Sequence, residues 1–437
     1  MIRSNFRRRV VITGMGLISP IGNSNEAIWD SLENGRSGIA RLTRVPVEHL
    51  PTKVGGEANE FTGNIDNFGS LEKQQKRTIK KGIKLMSREI QMGVAASQLA
   101  LGNSGLEIGK VDPDRLGTMF GSDYIMTLPD EYARAIQSCM GGNGKFDFEV
   151  WADKGLHQVD PLWLLKYLPN MPASHVAIYN DCRGPSNSLT VREASSNLAI
   201  AEATTTINRG IADVMIAGAT GTRIHILRTL HVALQEELAS PDVEPQSASR
   251  PFDRDRTGMV IGEGAGTIIL ESLEHAQGRG ATIYGEVVGF ASGSVANKQG
   301  VADYRQSFKN VMSMALENSN STVNDIGHIH AHGLSSRKCD SDEAQAIQDV
   351  FGNQCPPVTA AKSYMGNLGA GSGMVEVIAS LLAIKHDKLF PIMNLNNLDD
   401  GVAINTVTEF CSPGKSFMNV NISPQGQASV AILQSFE

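Results

Sequence analysis

Glu193 is the residue around which chemistry in this chain has to be arranged. It stands in CRGPSNSLTVREASSNLAIAEATTTINRGIADVMIAGAT, residues 182–220. Residues 188–191 alternate weakly and carry β-branched side chains, which fits a strand. Residues 193–208 are rich in Ala, Ser, Ile and Leu, with no Gly or Pro before Gly210, which fits a buried helix. Residues 213–218 are an apolar run that fits a buried strand. A charged residue in the first turn of a helix, directly after a strand, is aimed at a pocket. The free N–H groups and the positive end of the helix dipole favour an anion there. Such a carboxylate can be a fixed anion, a hydrogen-bond acceptor, or one half of an acid–base pair with a histidine. It can also simply cap the helix, which is worth about 0.3–1 kcal/mol. His328, His330 and His332 share one side of a strand by period two, and the first two read as packing residues.

The elements that would position these groups follow in chain order. Residues 10–12 read as a strand, 25–32 as a short helix, 43–71 as a polar loop region and 73–101 as one long helix. The first half of that helix carries Lys73, Lys76, Arg77, Lys80, Lys81, Lys84 and Arg88, a solvated face or a landing site for an acidic partner. Residues 117–121 read as a strand, and 123–180, with Trp151 and Trp163, as an inserted cap of helices and loops. Residues 224–238 read as a helix and 250–272 as a loop leading into a strand. The second half repeats strand, crossover helix and strand, closing on a hairpin at 417–422 and 429–433. Alternating β and α with buried strands predicts an α/β architecture with a parallel-containing sheet.

The 437 residues are 41% hydrophobic, enough for a large core, and length alone suggests two or three domains. A net charge of −7 with no large basic block argues against nucleic acid as a partner. Five cysteines without framework spacing fit a reducing compartment. Arg7, Arg8 and Arg9 precede an apolar run, but that run breaks at Gly14 and Gly16 and reads as a first strand, not a secretory signal. No stretch of eighteen apolar residues suggests a membrane span, so the expected location is the cytoplasm.

Five motifs resemble those of the β-ketoacyl carrier-protein synthases, the condensing enzymes of the thiolase-like superfamily. VVITGMGLISPIG at residues 10–22 is similar to the family's opening, and RPFDRDRTGMVIGEGAGTIILE at 250–271 to its central loop and strand. The stretch 182–220 is similar to the nucleophile region, HAHGLSSRKCDSDE at 330–343 to NAHGTSTxxxDxxE, and KSYMGNLGAGSG at 362–373 to KSxxGHxxGAAG. The resemblance covers nearly the whole chain. It implies two pseudo-symmetric α/β halves in a five-layered αβαβα core, with an N-terminal half at 1–255, a cap insertion near 123–180, and a C-terminal half at 256–437. It also implies dimerisation, no bound cofactor or metal, and substrates carried on the phosphopantetheine of an acyl carrier protein, for which the basic stretch 73–88 would be the landing site.

Carried over residue by residue, the family's nucleophilic cysteine falls on Glu193. Its two active-site histidines fall on His332 and Asn367, and its lysine on Lys362. Asp340 and Glu343 match its supporting aspartate and glutamate, with Lys362 expected to pair with Glu343. The two threonines that hold the pantetheine arm become Leu334 and Ser336. In the gate, Ser423 and Gln425 sit where phenylalanines belong, and Pro424 replaces a flexible glycine. A thiolate exchanges with a thioester easily. A carboxylate would form an anhydride, far uphill. The expectation is therefore a protein that has lost condensation. It would be a malonyl-carrier decarboxylase using His332 and Asn367 on an enolate, or a chain-length-factor-like partner of an active ketosynthase, as homodimer or heterodimer. An active synthase with another nucleophile, and a thioester hydrolase pairing Glu193 with His332, are the alternatives.

Overall fold

The computed structural model describes residues 8–436, so Arg7 lies outside the described residues. Its strands are β1 (Val10–Ile18), β2 (Ile39–Arg41), β3 (Val54–Gly56), β4 (Leu116–Ser122), β5 (Ser186–Thr190), β6 (Val214–Thr222), β7 (Ile261–Ser272), β8 (Gly285–Ser294), β9 (His328–His330), β10 (Val358–Thr359), β11 (Ser416–Ile422) and β12 (Gln427–Gln434). The order along the sheet is β10-β9-β11-β12-β8-β1-β7-β6-β4-β5, with β2 and β3 to one side.

That order contains a repeat. The first half reads β5-β4-β6-β7-β1 and the second β10-β9-β11-β12-β8. Numbered within its half, each is third, second, fourth, fifth, first. In each, the first two pairings are parallel and the last two antiparallel. The halves join through two residue pairs of β1 and β8, Val11 with Glu286 and Ile12 with Gly285. The changeover falls between Ser272 and Gly285, beyond the 255/256 boundary expected from sequence, because β7 closes the first half.

Two helices occupy equivalent places, Ser195–Asn208 after β5 and Ser372–Lys385 after β10. Each packs against strands of both halves and forms the middle layer. Both are rich in small and apolar residues; the second is buried along nearly its whole length, and the first buries its first turns and exposes Glu202. They approach so closely that a Cβ on Gly373 would lie 2.8 Å from Ser196 Cβ. Helices Arg88–Ser104 and Met171–Tyr179 cover one outer face, and Tyr304–Ser319 and Arg337–Phe351 the other. The result is the expected mixed α/β sandwich of five layers.

The single helix expected over residues 73–101 is two, Lys73–Gly82 and Arg88–Ser104. Met86 and Ser87 between them are extended, with ψ of 129° and 166°. A straight helix could not keep the first segment solvated and bury the second on nearly every side. Gly82 weakens the helix at the joint, and Ser87 stands at the N-cap position of the second helix. The helix expected at 224–238 is shorter, Ile226–Ala233, so that Gln235 and Glu236 leave it and face the site. At the far end of the sheet β5 is largely exposed, with its outer edge unpaired among the described residues.

Candidate active site

β5 runs out at Thr190, and the chain turns sharply into the middle helix. Arg192 has φ +54°, a left-handed conformation that costs a non-glycine residue about 1–2 kcal/mol. Residues Arg192–Ala194 form a 3-10 turn before the helix begins at Ser195. The turn is held by Ser195, whose hydroxyl accepts from the Val191 N–H at 2.8 Å and donates to Ser122 O at 3.1 Å. The Ser196 hydroxyl is engaged likewise, donating to Ala370 O at 2.6 Å and accepting from Met374 N–H at 3.0 Å. Both hydroxyls are thus engaged by backbone groups.

Glu193 is 1% exposed. Its Oε1 accepts from the Arg223 guanidinium and from Asn367 Nδ2 at 2.9 Å. Its Oε2 lies 3.8 Å from Arg192 Nε. Burial alone would raise its pKa, but Arg223 and Arg192, helped by the Asn367 amide, hold it well below the usual carboxylate range. Glu193 is a fixed anion.

It is one link in a chain that sequence reasoning missed. Arg192 Nη2 donates to Glu236 Oε2 at 2.9 Å. Arg223 Nη1 lies 3.5 Å from Asp123 Oδ2, and Arg228 Nη2 2.9 Å from the same oxygen. Arg228 Nη1 donates to Glu89 Oε1 at 2.7 Å. The sequence of contacts is Glu236, Arg192, Glu193, Arg223, Asp123, Arg228, Glu89, alternating in sign, with Arg223 and Arg228 fully buried. Tyr124 stacks on the Arg228 guanidinium, 4.5 Å from ring centre to Cζ. A signal was present in the sequence: Asp123 and Arg223 each follow directly on an apolar strand, at the strand end where a site belongs.

His332 follows β9 and is buried. Burial and the nearby Lys362 push its pKa far down, so the ring is neutral. Lys362 Nζ donates to His332 O at 2.8 Å and sits 3.5 Å from Nδ1. The expected Lys362–Glu343 pair is not formed. Lys362 pairs with Glu376, carried by the middle helix in front of it. Glu343 instead accepts the backbone N–H groups of His332 at 2.6 Å and Gly333 at 2.9 Å. Asp340 accepts those of Phe252 at 2.9 Å, Leu334 at 2.9 Å and Ser335 at 3.1 Å. The two carboxylates hold a loop in which Gly333 and Ser335 both have positive φ. The His328 and His330 rings join to Ser380, at 3.0 and 2.8 Å, and are packing residues as expected.

Asn367 is oriented by its carbonyl, which accepts from Gly369 N–H at 3.0 Å and Ser372 Oγ at 3.1 Å. Its NH₂ therefore points to Glu193 and to Met259 Sδ at 2.9 Å, with no N–H left for a substrate oxygen.

A cavity of about 210 Å³ lies beside His332, lined also by Glu236, Tyr304, Leu334, Ser336 and Cys339. Glu193 does not line it. Ser423 and Pro424 do, but Gln425 is exposed and faces outward. The segment is a hydrogen-bonded turn: Gly426 N–H donates to Ser423 O at 2.9 Å, and Tyr304 OH to Pro424 O at 2.9 Å. The Cys339 thiol is pushed well up by burial and by Asp340, Glu343 and Asp342, so it is no thiolate. Among the described residues no cluster of His, Cys, Asp and Glu could hold a metal ion, and no helix is long and apolar enough to cross a membrane.

Residues 7–276 match the beta-ketoacyl synthase N-terminal domain and residues 284–396 the C-terminal domain. The chain belongs to the beta-ketoacyl synthase family. It is 33% identical over 399 residues to a 3-oxoacyl-[acyl-carrier-protein] synthase 2 of Synechocystis sp. (strain ATCC 27184 / PCC 6803 / Kazusa), covering 90% of this chain and 89% of that relative. A beta-ketoacyl synthase from Burkholderia phymatum STM815 superposes with a TM-score of 0.84 at 26% identity, covering 98% of this chain and all of that one. The ishigamide ketosynthase/chain length factor gives 0.83 at 26% identity, covering 99% and 100%. Within the family's thiolase-like fold, Asn367 bonds Glu193 just before the first middle helix, and Lys362 bonds the His332 backbone and Glu376 of the second.

Proposed function

We propose that this is a non-condensing ketosynthase-family protein of fatty acid or polyketide synthesis, which acts as the chain-length-factor-like partner of a cysteine-bearing ketosynthase. The carrying observation is Glu193, an ionised carboxylate bonded by Arg223 and Asn367 at the start of the middle helix and closed off from the cavity beside His332. Such a group cannot accept an acyl chain from a thioester. The Ser195 and Ser196 hydroxyls are engaged and Cys339 is held as a thiol, which weighs against another nucleophile and against a hydrolase. The likeness to a ketosynthase/chain length factor supports the reading. The unpaired edge of β5 is a surface through which a dimer can continue the sheet, and the exposed Lys73, Lys80 and Lys81 suit an acidic acyl carrier protein. The protein would work in the cytoplasm. Co-expression with a cysteine-bearing homologue should give a stable heterodimer in which acyl label enters only that homologue. A protein that remains a homodimer in the presence of every such homologue, or that takes up acyl label itself, defeats the proposal.

A second reading, malonyl-carrier decarboxylation, is favoured by one observation: neutral His332 faces the cavity where the carrier's arm would lie. The fixed charge on Glu193 and the engaged Asn367 amide oppose it, since both bear on where the malonyl carboxylate and the enolate oxygen would sit. Appearance of acetyl-carrier from malonyl-carrier would establish it.

A further inference from the structure

The ion-pair chain through Glu193 does not balance. It holds four acids, Glu236, Glu193, Asp123 and Glu89, against three arginines, Arg192, Arg223 and Arg228. None of these side chains is more than 9% exposed. With every group ionised, one net negative charge is held away from water. A low-dielectric interior penalises that charge, and one bound proton relieves it.

The neighbours decide where that proton goes. Glu193 and Asp123 each lie between two arginines. Burial raises the acids at both ends. Glu89, at one end, has Arg228 at 2.7 Å and also the Thr222 N–H at 2.9 Å. The Glu236 carboxylate, at the other end, accepts one hydrogen bond, from Arg192 at 2.9 Å, and lines the cavity beside His332, its path to solvent. Burial, with Glu193 and Asp123 adding to it, outweighs Arg223 and Arg192 and pushes Glu236 up to about 7. The other titratable groups lining that cavity do not compensate it. His332, Cys339 and Tyr304 are neutral, Glu237 is exposed, and Lys338 is paired with Asp342.

Arg192 is placed to respond. Its Nε and Glu193 Oε2 are both buried, both without a hydrogen-bond partner, and 3.8 Å apart. With Glu236 ionised, Arg192 is held to it and to Gln235 Oε1 at 2.7 Å, at a φ of +54°. We propose that the ion-pair chain is a one-proton switch: a proton taken up by Glu236 hands Arg192 over to Glu193, and the wall of the cavity beside His332 changes from an ion pair to a neutral hydrogen-bond donor. The carboxyl O–H offers a donor to whatever enters the cavity on the acid side, and the carboxylate an acceptor on the alkaline side. The switch needs only the buried charges, so it does not depend on the partner role proposed above.

The test begins with the wild-type protein. Crystal structures at about pH 5.5 and about pH 8.5, on either side of the Glu236 titration, should show Arg192 within hydrogen-bond distance of Glu193 Oε2 at the lower pH and on Glu236 at the higher. Difference infrared spectroscopy of the full-length protein over the same range should show a protonated-carboxyl band with a midpoint of about 7, lost in Glu236→Gln and kept in exposed Glu237→Gln. Asp340 and Glu343, raised by burial to about 6 and about 8, give bands of their own that both variants keep. Glu193→Gln removes the excess charge and should move the Glu236 midpoint down by about one unit or more, a tenfold change in proton affinity. If that variant does not fold, the wild-type structures and Glu236→Gln decide. Arg192 in one place at both pH values, no band lost in Glu236→Gln, or a midpoint unmoved in folded Glu193→Gln would overturn the proposal.

Discussion

Glu193→Gln removes one charge from the buried chain with little change of shape. Arg223 then retains one acid, Asp123 at 3.5 Å, which Arg228 already approaches at 2.9 Å. Arg192 keeps Glu236, but its Nε faces an amide. Removing one member of a buried pair costs about 3–5 kcal/mol, because the other charge stays out of water without its partner. That is a large share of a typical stability of roughly 5–15 kcal/mol. At about 2.1 cal/mol/K per residue, 437 residues give an unfolding entropy near 0.9 kcal/mol/K, so Tm should fall by about 3–5 °C. The double variant Glu193→Gln, Arg223→Met should recover most of the loss, since replacing both members of a buried pair is often close to neutral. The assay is urea and thermal unfolding of wild type, both single variants and the double, read as a double-mutant cycle. The Glu193 carboxyl lies below its unfolded value of 4.5 in the folded protein. Its stabilisation is therefore fully present above that pH and lost only as pH falls below it. A loss under about 0.5 kcal/mol for Glu193→Gln at neutral pH, or a double variant no better than the single, would show that Glu193 is not an ionised partner of Arg223.

Further outcomes are expected. His328 is buried neutral, pushed down to about 4 from an ordinary 6.5. The unfolded chain takes up that proton first, so this group's stabilisation is complete above about pH 6.5 and lost by up to about 3 kcal/mol as pH falls towards 4. Urea unfolding of wild type against His328→Gln should show the steeper acid decline in wild type, and parallel profiles would refute it. Arg192→Gly relieves a positive φ and removes the contact with Glu236. Because Arg192 bridges Glu236, which lines the cavity beside His332, to Glu193, a crystal structure of that variant should show the cavity extended to Glu193, and an unchanged cavity would show that Arg192 does not separate the two. Asp340→Asn should loosen the loop after β9, because three backbone donors lose a carboxylate acceptor. Faster hydrogen exchange at Leu334 and Ser335 is the readout, and unchanged protection would deny Asp340 that role. Reversal of Lys76 and Lys80 to Glu should weaken acyl carrier protein binding at low salt, where surface charge is least screened. Part of that effect would come from freeing Asp66, which Lys76 engages at 2.7 Å, and unchanged affinity would dismiss the basic segment as a landing site.

The elements were legible where the residue pattern was strong. The first middle helix announces itself as a run dense in Ala, Ser, Ile and Leu with no Gly or Pro, and β1, β4, β6 and β7 as apolar runs closed by turns. The break at residues 83–87 was not, because both flanking segments have helical periodicity and only the packing of Arg88–Ser104 against β1 and β7 forces a new axis. The Lys362 partner was misassigned for a similar reason: Glu343 and Glu376 are both acids on nearby helices, and the choice depends on which helix faces the lysine.

From the sequence alone came the family resemblance, the identities at positions 193, 332, 362 and 367, and the chemical point that a carboxylate at a helix start cannot carry an acyl chain. Those follow from residue type and order along the chain. Whether Glu193 is charged, which groups hold it, and whether a cavity reaches it were decided only by the tertiary structure. Each depends on residues far apart in sequence, Arg223 thirty positions away and Asn367 one hundred and seventy-four. A buried charge is stable only when several strands and helices deliver its partners to the same few ångströms, and no local pattern records that meeting.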